Sequence, residues 1–173
     1  MKYEEDLKIW HEMIDPGNQS LNDRYKLMMD EIKEFDEAIY FGSKIKESCD
    51  VLVTAYAVIK YGGNNIKTNS AKHFYDSFKK YILGNDIEIN EAMRKVFDSN
   101  MSKFVLEEEL PNAINYFKEL ELDVYPKELG NGYFGFYSSL DQEANKKKYP
   151  KNKLLKSHKY KKIDESIDWW NQK

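Results

Sequence analysis

The sequence predicts a mostly helical protein: an all-α bundle of about five helices, carrying a small α+β appendage of one helix and a β-hairpin towards the C-terminus. Three observations carry that reading. Apolar residues recur at steps of three and four through the first hundred residues. Gly, Pro and Asn stand where such helices would start and stop. Beyond residue 105 the texture changes to short aromatic or β-branched runs around the turn pair Asn131-Gly132. The bundle is read over residues 1–105, and the appendage with a Lys-rich C-terminal segment over 106–173.

Between Lys2 and Ile14, the residues Tyr3, Leu7, Trp10 and Ile14 keep helical spacing, and Asp15-Pro16-Gly17 supplies a stop. Ser20 or Asn22 can cap a second helix, whose Tyr25, Met28, Ile32, Phe35 and Ile39 form a stripe for a packed partner. Gly42 then punctuates the chain, Ser43 is the expected cap of a third helix, and Gly62-Gly63 is its expected stop near Tyr61. The run from Val51 to Ile59 is apolar nearly all round, so it belongs in the centre of a bundle or at a subunit interface. A fourth helix is expected over roughly Ser70 to Leu83, a fifth from Ile89 towards Phe97, and the appendage helix over Leu110 to Leu120. Strands are expected at Leu122 to Tyr125 and Gly132 to Tyr137, with Tyr133, Phe134, Phe136 and Tyr137 as a small core rather than a base-stacking platform. The Lys-dense run 146–162 reads as a solvated, flexible face, and Trp169-Trp170 as an aromatic end that docks on the bundle or on a second subunit.

Composition narrows the function classes. The 173 residues are 41% hydrophobic, enough for one packed domain, and 33% are charged. Yet 27 Lys and Arg nearly balance 30 Asp and Glu, and a net charge of -3 argues against a general nucleic-acid binder. The single cysteine, Cys49, lies in an apolar run and reads as a buried small hydrophobe in a reducing compartment rather than a catalytic thiol. With no basic-then-apolar leader and no run long enough to span a bilayer, the expectation is a soluble, cytoplasmic protein with no membrane partner. His11, His73 and His158 are scattered without ligand spacing.

Chemistry concentrates in acidic pairs. Glu31 and Glu34 are three apart on the second helix, and Glu47 and Asp50 are three apart on the third, so each pair projects in one direction. A short connection at Gly42 would make the helices antiparallel neighbours and bring four carboxylates together. Either pair alone is an ordinary solvated helix face. Together they are notable because Asp50, expected to lie deepest, opens an apolar run where a negative charge needs a positive partner. Four converging carboxylates repel one another, and hard oxygen donors in that number suit Mg²⁺, with Mn²⁺ as a substitute.

The pattern Asp30-Glu31-x-x-Glu34 followed by Glu47-x-x-Asp50 resembles the E-E-x-x-E…E-x-x-D signature of the all-α nucleoside triphosphate pyrophosphatases. That superfamily includes the MazG-like enzymes, the dimeric dUTPases and dCTPases, and phosphoribosyl-ATP pyrophosphohydrolase. Ser99-Asn100-Met101-Ser102-Lys103 is similar to an S-N-M-[ST]-K segment of MazG-like and phosphoribosyl-ATP pyrophosphohydrolase-like members, and Leu154-Leu155-Lys156-Ser157 with Tyr160 to their V-L-K-S-x-x-Y ending. The sequence departs at position 30, where the first Glu of the signature is Asp.

The resemblance implies a MazG-like fold and hydrolysis of a nucleoside triphosphate, with a weak preference for deoxynucleotides, to the monophosphate and pyrophosphate. Glu31, Glu34, Glu47 and Asp50 would hold Mg²⁺, and Glu31 and Glu34 would also be catalytic, a carboxylate not fully engaged accepting a proton from water. Lys103 would stabilise the leaving pyrophosphate, Asn100 and Lys103 would approach the nucleotide and its phosphates, Lys156 would lie near phosphate and Tyr160 near the nucleotide. A homodimer or homotetramer is expected, on the argument that the apolar third helix exceeds what one small bundle can cover. The rival reading is a non-catalytic helical module that binds nucleic acid or a protein partner through its Lys-rich tail.

Overall fold

The computed structural model describes residues 3–14, 19–164, 166 and 170; Asp15-Pro16-Gly17 and Trp169 lie outside the described residues. Six α-helices and five short strands are found among the described residues. The chain divides into two compact units, Met1–Phe97 with Ile163–Lys173, and Asp98–Lys162.

In the first unit, α1 (Tyr3–Ile14) carries Glu4, Glu5 and Asp6 in its first turn, where acidic groups favour the helix dipole. It buries Tyr3, Leu7 and His11, and His11 Nε2 donates to Val53 O at 2.9 Å. Helix α2 (Leu21–Glu37) starts at Ser20, whose Oγ accepts from the Asp23 amide at 3.1 Å. Of the predicted stripe, Met28 is fully buried and Tyr25, Ile32 and Phe35 are partly buried, but Ile39 is 85% exposed because α2 has already ended.

Helix α3 (Phe41–Tyr61) begins earlier than Ser43, and Gly42 is a buried residue inside its first turn rather than the connection. Residues 38–40 make the link. Lys44 explains the tightness of this turn: its ammonium donates to Phe35 O at 3.0 Å and lies 4.3 Å from the centre of the Phe35 ring, so α3 caps the end of α2. At the far end, Gly62 is required by space, because a Cβ there would collide with Thr68 Oγ1 and Val58 O. Helix α4 (Ile66–Gly84) starts a turn before the expected Ser70, since Asn65 Oδ1 accepts from the amides of Lys67 and Thr68 at 2.8 and 3.1 Å. Glu88 does the same for α5 (Ile89–Met101), accepting from Asn90 and Glu91.

Helix α3 packs against α1, α2 and α4. Its Val51, Leu52, Val53, Ala55, Ala57 and Val58 are all buried within the single chain, so burial of this helix does not by itself call for a second copy. Cys49 is likewise buried, a free thiol whose burial pushes its pKa up. Trp170 and Ile163 join the same core as Leu7, Leu52, Met93 and Val96.

The second unit holds β1 (Val105–Leu106), α6 (Leu110–Glu119), β2 (Val124–Gly130) and β3 (Tyr133–Ser138). The three strands form an antiparallel sheet in the order β1-β3-β2. Asn131 and Gly132, with φ of 50° and 76°, make the β2–β3 turn where the sequence predicted it. Phe136 is fully buried and packs with Phe117, Val105, Ala113, Leu122 and Leu155. A second ribbon, β4 (Gln142–Ala144) and β5 (Lys147–Tyr149), was not anticipated. Part of the Lys-dense run therefore pairs as a strand, and Leu155 and Ser157 further along it are buried, contrary to a wholly solvated, flexible face. The lysines masked this because Lys147 and Lys148 point to solvent while Tyr149 and Leu155 face the small core.

Candidate metal centre

The tight turn at residues 38–40 sets α2 and α3 antiparallel, with Glu31 and Glu34 on one and Glu47 and Asp50 on the other. Glu31, Glu34 and Glu47 each offer an oxygen such that all three lie within 4.8 Å of one another. Burial grades across the triad, from Glu47 at 8% exposure through a partly buried Glu31 to an exposed Glu34. The cluster thus has a dry floor on α3 and a wet rim on α2. Asp50 is only partly buried, so Glu47 rather than Asp50 lies deepest.

Electrostatics follow from that geometry. Burial, then the charges of Asp50 and Glu34, push the Glu31 carboxyl up to about 8, with Lys46 opposing the rise and Glu47 adding to it. Burial also raises Glu47, against the hydrogen bond and charge of Lys46. Asp50 stands outside the closest triad, yet its charge still acts on Glu31.

The positive partner that Asp50 needed is present in the chain. Lys46 Nζ lies 2.9 Å from Asp50 Oδ2 and 2.6 Å from Glu47 Oε1. Burial disfavours the ammonium, but Asp50 and Glu47 outweigh it and the Lys46 pKa rises. One lysine cannot satisfy all the oxygens. Glu47 Oε2 is buried and has no hydrogen-bond partner among the described residues, an orphaned carboxylate oxygen at the floor of the cluster. Asp30, Asp36 and Glu37 are exposed and outside the triad, and Glu37 pairs with Lys33 at 3.6 Å along the helix surface.

The other expected site residues, Asn100, Lys103, Lys156 and Tyr160, belong to the second unit, where two distant segments are sewn together by serines. Ser99 Oγ donates to Lys161 O and Ser157 Oγ to Ser102 O, both at 2.8 Å, while the Lys161 amide donates to Ser102 Oγ at 2.8 Å. Lys103 Nζ donates to Asn100 Oδ1 at 2.6 Å, and Lys156 Nζ sits 4.2 Å from the centre of the Tyr160 ring. Burial raises the Tyr160 hydroxyl, but hydrogen bonds with Ser99 and Lys156 and the charges of Lys156 and Lys103 lower it overall. All four residues therefore gather in one cationic, phenolic cluster.

Comparison with protein-family models, curated proteins and solved structures returned no match. Sequence reasoning missed Lys46 altogether, and it quoted Ser99, Ser102 and Ser157 within motifs without finding that they join the two segments. The i,i+4 spacing of Lys46 and Asp50 was available as a signal, whereas the serine links join segments more than fifty residues apart and leave no local trace.

Proposed function

We propose that this chain is a MazG-like, Mg²⁺-dependent nucleoside triphosphate pyrophosphohydrolase, releasing pyrophosphate and a nucleoside monophosphate. The observation that carries the reading is the triad Glu31, Glu34 and Glu47 within 4.8 Å, with the buried Glu47 Oε2 lacking a hydrogen-bond partner among the described residues. Such an oxygen is costly unless a cation completes it, and an all-carboxylate donor set fits Mg²⁺ or Mn²⁺ and not the softer metals. Glu31, Glu34, Glu47 and Asp50 are the residues that would hold it. When bound, the ion supplies charge neutralisation at phosphate oxygens and acidifies water.

The remaining work falls to side chains of the chain itself. Glu34, exposed at the rim, can accept a proton from an attacking water, and Glu31, one turn away on α2, is a second carboxylate able to do so. In the second unit, Lys103 and Lys156 supply two ammonium groups suited to a polyphosphate, Asn100 offers an amide, and Tyr160 an aromatic face and hydroxyl. No sequence of the P-loop type is present, so the chain brings cations and carboxylates rather than a glycine cradle.

The test is a screen of the eight common ribo- and deoxyribonucleoside triphosphates, with phosphoribosyl-ATP, for pyrophosphate release with Mg²⁺ or Mn²⁺. Hydrolysis of at least one substrate, abolished by chelation, is the expected result. Absence of hydrolysis with either ion defeats the proposal.

A further inference from the structure

The role of Lys46 goes beyond pairing with a neighbour. Its ammonium makes two short bonds, to Glu47 Oε1 and to Asp50 Oδ2, and both acceptors belong to the carboxylate group described above. The side chains of Lys46, Glu47 and Asp50 are only 22%, 11% and 13% exposed, so the pairing is not the loose surface kind whose worth is near zero. Lys46 precedes Glu47 and stands one turn before Asp50 on the same helix, so it can reach both acceptors without any backbone adjustment. Its stem is flexible, so it can leave them equally without backbone adjustment. Even with Lys46 in place, Glu47 Oε2 has no hydrogen-bond partner among the described residues, which marks the ammonium as an incomplete occupant.

We propose that Lys46 is an internal counter-cation: it occupies the carboxylate cluster in the metal-free protein and is displaced from Glu47 and Asp50 when a divalent cation binds. This rests on the metal-centre reading above. A single positive charge among Glu31, Glu34, Glu47 and Asp50 leaves the cluster under-neutralised but assembled, and a doubly charged ion competes for the same two oxygens. Lys46 is thereby a positioning residue. It holds the α3 carboxylates in place before loading, weakens metal affinity by competition, and makes release of the ion easier.

The experiment is calorimetric titration of Mn²⁺ into the full chain, comparing wild type with Lys46→Met and Lys46→Arg, alongside melting curves in EDTA and in Mn²⁺. Lys46→Met is expected to bind Mn²⁺ about tenfold more tightly than wild type, the competing charge being gone. It should also melt below wild type in EDTA and recover that deficit in Mn²⁺. Lys46→Arg, which keeps the charge, should retain affinity and melting point close to wild type. Equal or weaker binding by Lys46→Met, with wild type binding normally, overturns the counter-cation and leaves the metal centre standing; failure of every form to bind Mn²⁺ overturns both. Should Lys46→Met not fold in EDTA, lysine side-chain NMR of the wild type decides. The Nζ resonance assigned to Lys46 by its loss in Lys46→Arg should shift on adding Mg²⁺, and an unmoved resonance rejects the proposal.

Discussion

The carboxylate cluster on α2 and α3 and the serine-laced cluster of the second unit are both built from polar side chains gathered from separate segments, but they are held in opposite ways. In the second unit each buried hydroxyl finds a backbone partner: Ser157 with Ser102 O and the Lys159 amide, Ser99 with Lys161 O. In the first unit like charges crowd one another, Lys46 answers Glu47 and Asp50, and a buried oxygen of Glu47 has no hydrogen-bond partner among the described residues. A satisfied network stabilises a fold, whereas a surplus of one charge destabilises it until a ligand of the other sign arrives. Neutralising substitutions in the two regions should therefore have opposite consequences.

The largest expected effect is on chemistry. Glu47→Gln, Glu34→Gln and Asp50→Asn should each cut Mg²⁺-dependent pyrophosphate release on the order of 1000-fold while circular dichroism stays native. Retained turnover in all three would place the chemistry elsewhere. Next comes Ser157→Ala, which removes both hydrogen bonds of a buried hydroxyl and should cost about 1–3 kcal/mol by urea denaturation. In the metal-free protein, Glu47→Gln should show no such loss; a comparable destabilisation would erase the contrast between the two regions.

A subtler effect concerns pH. Glu31 has a folded-state pKa raised to about 8 from 4.5, by burial first and then by Asp50 and Glu34. The folded protein holds that proton where the unfolded chain has released it, so this contribution to stability is complete below about 4.5 and is lost as pH rises towards about 8. Melting temperature in EDTA should fall across that window, and Glu31→Gln should flatten the slope. A slope unchanged in Glu31→Gln would assign the dependence to other groups. The smallest effects belong to Asp36→Asn and Glu37→Gln, exposed acids on the same helix outside the triad, expected to stay within about 0.5 kcal/mol and to leave turnover alone.

Much of this was legible in the chain, and the failures have physical causes. Helical spacing and i,i+3 carboxylate pairs are local properties, so the α2 and α3 acids and the Asn131-Gly132 turn could be read directly. Gly42 was misread as a break because a glycine's conformational freedom says nothing about whether a neighbour, here Lys44 at Phe35 O, closes the turn sooner. Lys46 was overlooked because a lysine one turn from an aspartate is the routine pattern of solvated helices, and only burial distinguishes this pair. The β4–β5 ribbon was missed because β5 is only Lys147–Tyr149, two exposed lysines and one tyrosine, too short to register as a strand.

Whether the α2–α3 carboxylates form a metal centre is tested most directly by Mn²⁺ binding followed by electron paramagnetic resonance. Wild type is expected to bind Mn²⁺ with loss of the free-ion signal, Mg²⁺ to displace it, and Glu47→Gln to leave the ion free. Undiminished binding by Glu47→Gln, or none by wild type, would contradict it.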